Sequence, residues 1–326
     1  MAERTPIPDM ARLYDQALGA YLGLAVGDAL GATVEFMTPR EIQARHGVHR
    51  DITGGGWLKL KPGQVTDDTT MSLALGEALL EGHAKHRPWD TRLMADAFVR
   101  WWRSKPVDCG NTCRRGIERY LSLGTLAGPA SDGDGGNGAL MRNLPVALAT
   151  LGAPDLLAPV TLAQARITHH HPLSDAACLA FGAWLHAIWA QPDPAQAQTA
   201  LGVSARAWAQ AWPQFRFEPY PGRASGYVVD TVQTVLHHVS VAPDLESAVV
   251  GAVNQGDDAD TTGALVGMLM GAVHGASAIP ARWVQRLDPD IRLAITEQTS
   301  ALLALREAMA TAHRTEEAFC LSGAAR

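Results

Sequence analysis

The chain has 326 residues, of which 47% are hydrophobic, so it can bury a sizeable core as one large domain or two. The formal charge is −6, and acidic and basic residues are interspersed rather than grouped in blocks. This pattern argues against a nucleic-acid groove or a polybasic membrane patch, and it favours metals and small cationic or neutral ligands as partners.

The N-terminus and the cysteines indicate a cytoplasmic protein. The first segment, MAERTPIPDMARLYDQ, has acidic residues and prolines where a signal peptide needs a basic and then an apolar segment. The four cysteines form no CxxC pair, which is typical of free thiols in a reducing compartment. They are Cys109, Cys113, Cys178 and Cys320. A metal site at Cys109 and Cys113, four residues apart, stays as an alternative.

Ala and Leu recur at helical spacing along most of the chain, whereas alternating β-branched runs are few, so we predict an all-α fold. One compact multi-helix domain is expected over 13–312, with tails at 1–12 and 313–326. The Pro- and Gln-rich segment 191–199 is expected to be a surface loop of this domain. The predicted helices cover 11–32, 67–82, 90–104, 110–122, 138–151, 158–168, 173–190, 204–212, 226–239, 244–254, 260–275 and 293–312.

Glycines recur every four residues in the predicted helices 11–32 and 260–275. Each glycine in a helix costs ~1 kcal/mol relative to alanine, so the repeat predicts two buried helices packed backbone to backbone. A membrane-spanning interpretation is disfavoured because Asp28 interrupts the first segment and the second has barely the ~20 residues that a span needs. The glycines are Gly19, Gly23, Gly27, Gly31, Gly263, Gly267, Gly271 and Gly275.

Two adjacent carboxylates, Asp67 and Asp68, stand among threonines at the start of the helix predicted over 67–82. Thr66 or Asp67 would serve as an N-cap, and acids in a first helical turn are favoured by ~0.3–1 kcal/mol each. One cap needs only one such residue. The remaining groups either face water or hold a cation, and this stretch alone leaves both possibilities open.

The same arrangement recurs where Asp257, Asp258 and Asp260 precede the helix predicted over 260–275. If the two helix starts converge, their dipoles cannot balance four or five carboxylates, whereas divalent cations can. Carboxylate and hydroxyl oxygens without Cys or His at ligand spacing favour Mg²⁺ or Mn²⁺ over Zn²⁺. The number of ligands indicates two ions that share bridging carboxylates. Two unrelated capped helices are the alternative.

Seven motifs together resemble the ADP-ribosylglycohydrolase family, and within it the nitrogenase-linked branch, over roughly residues 14 to 310. The two acidic motifs are specific to the family, and the connecting sequence is specific to the branch. The motifs are GLAVGDALGATVEF, GGGWLKLKPGQVTDDTTMSLAL, KPVDCGNTCRRG, GNGALMR, ARITHHHPLSDAACL, FEPY and NQGDDADTTGAL.

The resemblance implies an all-helical fold around two divalent metal ions, Mn²⁺ or Mg²⁺, that cleaves ADP-ribose from an arginine of nitrogenase iron protein. It also implies binding to PII-type nitrogen signalling proteins, which recruit such enzymes to the membrane. By motif, the metal ligands would be Thr66, Asp67, Asp68, Asp258, Asp260 and Thr261. Three positions depart from the family pattern: Lys105 replaces an arginine, Asp257 replaces a glycine and is left outside the ligand set, and His170 replaces an asparagine.

The implied reaction needs a general acid or base and groups that bind the substrate. Asp108 is the first catalytic candidate by its motif and Glu35 the second, although Asp108 is also a plausible helix N-cap. Backbone N–H groups of the glycine-rich loop 127–138, at a predicted helix start, are candidates to bind the pyrophosphate. The substrate-binding candidates are Asn111, Gly136, Asn137, Gly138, His169 and Tyr220, with His169 and Tyr220 assigned to the adenosine.

Two other functions stay open at this point. The first is a hydrolase that acts on a different ADP-ribosylated acceptor. The second is a metal-bound binding module whose main partners are PII-type proteins. The complete set of expected metal ligands and Asp108 favour an active enzyme.

Overall fold

The computed structural model describes residues 10–323, with side chains up to Arg306. The all-α prediction is confirmed, since β-pairing in the described residues is confined to two isolated bridges. The α-helices are α1 (Met10–Gly31), α2 (Pro39–His46), α3 (Asp67–Ala84), α4 (Thr91–Arg103), α5 (Asn111–Leu123), α6 (Leu144–Thr150), α7 (Leu157–Ala165), α8 (Pro172–Trp189), α9 (Pro194–Ala211), α10 (Val228–Val241), α11 (Leu245–Val253), α12 (Ala259–His274), α13 (Ala281–Arg286) and α14 (Pro289–Gly323).

Two of the differences from the predicted helices have a local cause. Helix α2 was missed although Thr38 and Glu41 form a capping box before it. Helix α9 begins ten residues earlier than predicted because the Asp193 side chain accepts a hydrogen bond from Gln196 N–H and Pro194 occupies the first turn. The expectation of a loop over 191–199 is therefore wrong from residue 194 onward.

Helices α6, α13 and α14 also differ from the prediction. Helix α6 begins at Leu144 rather than 138, because the N–H groups of Leu140 and Met141 both donate to the Asn137 carbonyl in a turn. Helix α13 was missed, and α14 extends from Pro289 to Gly323 instead of 293–312. Residues 10–12 of the first expected tail belong to α1 and residues 313–323 of the second belong to α14, while 1–9 and 324–326 lie outside the described residues. The single domain over 13–312 stays a prediction.

The chain forms two compact units, each built from separate segments. The first contains the residues up to Gln64, Trp184–Ser225 and Val229–Asp288, and it includes α1, α2, α9 and α11 to α13. The second contains Val65–Ala183, Gly226–Val228 and the residues from Pro289 onward, and it includes α3 to α7 and α14. In the second unit, α14 is joined to α3 by a hydrogen bond of 2.9 Å from Gln298 Nε2 to the Leu73 carbonyl.

The glycine repeats lie between α1 and α12, as predicted. A methyl group added to any of these glycines on α1 would lie within 3.0 Å of the backbone of α12, so the two helices touch through their main chains. Both helices are almost entirely buried in the first unit. The facing pairs are Gly19 with Gly271, Gly23 with Gly267, Gly27 with Gly263, and Gly31 with Ala259.

Gly267→Ala is expected to destabilise the protein, because its new methyl group would overlap the Gly23 carbonyl oxygen. Overpacking of this kind costs about 1–3 kcal/mol or more. Gly202→Ala in α9 is the matched control, because a methyl group there meets only the flexible end of Arg206. Thermal melting should show a lower Tm for Gly267→Ala and an equal or higher Tm for Gly202→Ala. Equal Tm values in both variants would contradict the close contact between α1 and α12.

None of the described helices combines the length and the hydropathy needed to cross a membrane.

Candidate functional site

In the first unit, the turn that follows α1 is hydrogen-bonded to the loop that precedes α12. Phe36 N–H donates to the Asp257 carbonyl at 2.7 Å, and Asp257 N–H donates to the Met37 carbonyl at 2.9 Å. This pairing holds Glu35 beside the start of α12, where carboxylate oxygens of Glu35 and Asp260 lie within 4.8 Å of each other. Both side chains are buried. Two buried carboxylates at this separation are a suitable half-site for a divalent cation.

The carboxylate of Glu35 also accepts a hydrogen bond from Trp57, which sequence reasoning missed. Trp57 Nε1 donates to Glu35 Oε2 at 2.6 Å, and the indole contacts the ring of Phe36 with 5.3 Å between centroids. Trp57 is 51% exposed, so this hydrogen bond lies on the solvent side of the buried pair formed by Glu35 and Asp260. The tryptophan fixes one oxygen of Glu35 and thereby orients the carboxylate.

Trp57→Phe is expected to lower turnover by about tenfold, the range of one hydrogen bond to a charged group after allowance for exposure. The variant keeps the aromatic contact with Phe36 and removes only the N–H donor. Trp212→Phe, at the end of α9, is the matched control and should retain full turnover. Steady-state kinetics of both variants checks this expectation, and equal rates would show that Glu35 does not depend on Trp57 for its orientation.

The backbone of the acidic loop before α12 accommodates Asp257 at the position where the sequence resemblance implies glycine. Asp257 has a φ of 53°, in the left-handed region that glycine adopts without strain and that aspartate tolerates. Its side chain is mostly exposed. Burial of the remaining part and the nearby negative charge of Asp230 raise its pKa. Asp258 occupies the N-cap position of α12 without a side-chain capping bond. The expected ligands Asp258, Asp260 and Thr261 therefore follow a tight turn.

In the second unit, α3 begins with the acidic residues Asp67 and Asp68, directly after Thr66. Thr66 is in the N-cap position but makes no side-chain capping bond, although its hydroxyl lies 3.4 Å from Asp68 Oδ2. Asp67 and Asp68 are buried, and Asp67 Oδ2 accepts the N–H of Gly110 at 3.1 Å. Thr66 therefore does not cap the helix through its side chain, and Gly110 is a contact that the sequence did not predict.

Asp108 lies in the segment that leads into α5, and it is not the helix cap. Gly110 holds the N-cap position, whereas Asp108 Oδ1 accepts the N–H of Cys109 at 2.8 Å. The Asp108 side chain is half-buried, and burial raises its pKa above the ordinary value. Asn111, the first residue of α5, is exposed, and its side-chain oxygen accepts from Arg114 at 3.3 Å.

The glycine-rich loop does not form a helix N-terminus, because α6 begins only at Leu144. Asn137 N–H donates to the Gly226 carbonyl at 3.1 Å, so the expected anion site at a helix start is wrong in its geometry. Gly136 instead forms an isolated bridge with Tyr227, and Gly136 and Gly138 both face the ring of His169. Substrate binding by Gly136, Asn137 and Gly138 stays a prediction.

The two residues assigned to the adenosine have different surroundings. His169, in the second unit, is 2% exposed, and burial lowers its pKa well below the ordinary value, with a further contribution from the charges of Arg142 and Arg115. Tyr220, in the first unit, stacks on His237 with 4.3 Å between ring centroids, and its hydroxyl lies 2.9 Å from Thr234 Oγ1. Their contact with adenosine stays a prediction.

Arg142 is a fully buried cation whose contacts were not predicted. Its guanidinium donates to Gln164 Oε1 at 2.9 Å and lies over the ring of Phe98 at 4.3 Å. A charged residue in the apolar segment GNGALMR was the signal for it in the sequence. Arg142 also lies 3.6 Å from Cys113 Sγ, and burial raises the pKa of this thiol to about 12.

The described cysteines are free thiols, as expected. Cys109, Cys113 and Cys178 are unbridged, and Cys320 lies outside the described side chains. Burial raises the pKa of Cys109 to about 12, as it does for Cys113, so both remain protonated at pH 7. A metal ion would have to displace the proton of each thiol, and a metal site at these two residues stays a prediction from the sequence.

Comparisons with known proteins agree on one family. The family model described as ADP-ribosylglycohydrolase matches residues 9–315. The chain is 54% identical over 293 residues to ADP-ribosyl-[dinitrogen reductase] glycohydrolase of Rhodospirillum rubrum, covering 90% of this chain and 97% of that protein. It is 31% identical to ADP-ribosylarginine hydrolase Tri1 of Serratia proteamaculans (strain 568), covering 86% and 77% of the two chains.

A solved structure supports the same assignment at the level of the fold. A chain of an ADP-ribosylglycohydrolase-related protein complex superposes with a TM-score of 0.78 at 33% sequence identity, covering 91% of this chain and 99% of that chain. The match of the family model spans nearly the whole sequence, including both acidic clusters. The chain therefore belongs to the ADP-ribosylglycohydrolase family.

Proposed function

We propose that this chain is a metal-dependent hydrolase that removes ADP-ribose from a modified arginine side chain of a protein, and that nitrogenase iron protein is its target. The observation that carries the proposal is the 54% identity to the Rhodospirillum rubrum glycohydrolase over 90% of this chain. The name of that relative states a dinitrogen reductase substrate, and the similarity to an ADP-ribosylarginine hydrolase supports arginine as the acceptor.

We infer that Thr66, Asp67, Asp68, Asp258, Asp260 and Thr261 hold two divalent ions, Mn²⁺ or Mg²⁺. Their donor atoms are the hard oxygens that these ions prefer. All of these side chains except half-buried Asp258 are buried, and the N-cap residues Thr66 and Asp258 make no side-chain capping bond. Asp260 Oδ1 accepts the N–H of Thr261 at 2.9 Å, which leaves its second oxygen as a candidate ligand. Adjacent carboxylates such as Asp67 and Asp68 repel one another, and bound cations would offset that repulsion.

Hydrolysis breaks the bond between ribose C1 and the guanidine nitrogen and adds the oxygen of water to C1. Positive charge develops on the ribose in the transition state, and carboxylates near C1 stabilise it. When bound, the divalent ions would supply Lewis-acid polarisation of nearby oxygen atoms. The leaving guanidine must gain a proton, and the water must lose one. We assign this proton transfer to Asp108, whose raised pKa suits a group that exchanges a proton, with Glu35 as the second candidate.

A second candidate function is hydrolysis at the arginine of a different protein. The 31% identity to ADP-ribosylarginine hydrolase Tri1 favours it, since that name specifies the modified side chain and no particular target. The function proposed first and this one share the same chemistry and differ only in the protein that carries the arginine.

Binding to a PII-type signalling protein, a metal-bound regulatory role through it and a cytoplasmic location are further expectations from the resemblance and the sequence. Size-exclusion chromatography of the chain with a PII protein, in the presence and absence of ATP or ADP, tests the interaction. Comigration of the two proteins would support it, and separate elution under all conditions would remove it.

The proposed function is tested with the purified full chain, Mn²⁺ and three substrates. These are iron protein ADP-ribosylated on arginine, an unrelated protein ADP-ribosylated on arginine, and a peptide ADP-ribosylated on serine. Release of free ADP-ribose is followed by chromatography. Fastest release from iron protein supports the first function, and equal release from both arginine substrates supports the second. Absence of release from all three would overturn both, and release only from the serine peptide would move the reaction to another acceptor.

A further inference from the structure

A buried hydrogen-bond network in the second unit links Arg142 to His169 through the hydroxyl group of Thr168. Arg142 Nη2 donates to Thr168 Oγ1 at 2.8 Å, and the same oxygen lies 2.8 Å from His169 Nδ1. None of the three residues is more than 2% exposed. Because water has so little access, the polar hydrogen atoms of these three residues must find their acceptors within the network.

The donors and acceptors of this hydrogen-bond network determine which nitrogen of His169 carries the imidazole proton. A guanidinium has only N–H donors, so Arg142 occupies one lone pair of the Thr168 oxygen. In the described part of the chain, His169 Nδ1 is the remaining polar neighbour of this hydroxyl. If Nδ1 carried the proton, the Thr168 O–H would be buried without an acceptor, which is unfavourable. Thr168 therefore donates to Nδ1, and the imidazole proton is on Nε2.

The charge of Arg142 acts in the same direction as this hydrogen-bond pattern. Burial and the positive charges of Arg142 and Arg115 lower the pKa of His169 well below its ordinary value. The ring is therefore neutral at pH 7 and has a single N–H group. The bond from Arg142 also polarises the Thr168 hydroxyl, which strengthens its donation to Nδ1.

The Nε2 edge of His169 faces the glycine-rich loop. A methyl group added to Gly136 would lie 3.3 Å from Nε2, and one added to Gly138 would lie 3.2 Å from it. Glycine at both positions places no side chain of its own beside Nε2, and Cys113 Sγ would lie 2.8 Å from a methyl group at Gly138. Within the described residues, the hydrogen-bond partner of the ring is Thr168 at Nδ1, and no protein acceptor is assigned to Nε2.

We propose that Arg142 and Thr168 are positioning residues that hold His169 as a fixed, neutral Nε2–H donor to an acceptor oxygen of the ADP-ribosyl group. The inference rests on the proposed function for the identity of this ligand, whereas the tautomer rests on the protein alone. Neither Arg142 nor Thr168 touches the substrate in this arrangement. A donor with a fixed direction loses little freedom on binding, so it favours one orientation of the nucleotide sugar over others.

The tautomer is measured by long-range ¹H–¹⁵N correlation of the full chain labelled with ¹⁵N-histidine, with His169 assigned by its loss in His169→Gln. Wild type and Thr168→Ser should show an unprotonated Nδ1 and a protonated Nε2 at pH 7. Thr168→Val, which keeps the shape but removes the hydroxyl, should lose this single pattern. A wild-type ring protonated on Nδ1, or an unchanged pattern in Thr168→Val, would overturn the proposed positioning.

Addition of free ADP-ribose tests the role of Nε2 as a donor. Its resonance should shift in wild type, and the Kd for ADP-ribose should rise about 2- to 10-fold in Thr168→Val, the range of one neutral hydrogen bond, and return towards wild type in Thr168→Ser. Unchanged Nε2 resonance at saturating ADP-ribose would overturn the donor role. The wild-type spectrum does not require turnover, so absence of hydrolase activity would remove the proposed function while leaving the tautomer measurable. If Thr168→Val fails to fold, wild type and Thr168→Ser still decide between the two tautomers.

Discussion

Asp67→Ala and Asp260→Ala are each expected to lose metal binding and nearly all hydrolase activity. Each substitution removes a buried carboxylate in the first turn of a helix, at one of the proposed metal ligands. Since metal ligands orient the reacting groups as well as the ions, the loss of rate is expected to exceed ~10²-fold. Metal content by mass spectrometry and release of ADP-ribose from modified iron protein measure the two effects.

Asp257→Gly is the matched control for Asp260→Ala. It removes a carboxylate from the same loop, but that side chain is exposed and its φ of 53° suits glycine. The control should keep its metal and its activity.

Chelation should also lower the Tm of wild type, because an ion that binds only the folded state stabilises it by mass action. Asp67→Ala or Asp260→Ala with two bound ions and full activity would be incompatible with the dinuclear site.

Asp108→Asn is expected to lower turnover by ~10²-fold or more while leaving metal content and ADP-ribose affinity almost unchanged. The amide keeps the shape of the side chain and its oxygen can still accept from Cys109 N–H, but it cannot exchange a proton or carry charge. Single-turnover kinetics with modified iron protein separates this loss from weaker binding.

Asp155→Asn, at an exposed position of the same unit, is the control and should retain wild-type turnover. If Asp108→Asn also matched wild type, proton transfer would have to be assigned elsewhere, and Glu35 would become the leading candidate. A loss of metal together with the loss of rate would instead indicate that Asp108 is a ligand.

Features set by local sequence were predictable, and some readable signals were overlooked. The acidic starts of α3 and α12 and the glycine repeat are local patterns with a direct physical meaning, and the corresponding helices begin within one residue of the prediction. The capping box of Thr38 and Glu41 and the cap at Asp193 follow the same rules, so α2 and the start of α9 could have been found.

Contacts between distant segments could not be read from one sequence. The bond from Trp57 to Glu35 joins residues 22 positions apart through a glycine-rich loop whose path has no periodic signal. Arg142 bonds to Gln164 and Thr168 in the same way, and only its charge in an apolar segment was visible beforehand. The helix start expected at 138 was wrong, because α6 begins only at Leu144, so the N–H groups of Gly136–Gly138 do not lie at a helix N-terminus.

The glycine repeat between α1 and α12 also restricts how the two helices align along their axes, and thereby the distance between Glu35 and Asp260. Since glycines four residues apart are ~6 Å apart along a helix, the two helices can slide only in steps of that size. One step would separate Glu35 from Asp260, which now lie within 4.8 Å. Asp15 faces Gly275 at the far end of the row, and a slip that drew this bulkier side chain into the glycine contact would meet backbone atoms. A single alignment is thereby selected, and it is the one that keeps the two carboxylates within reach of a shared ion.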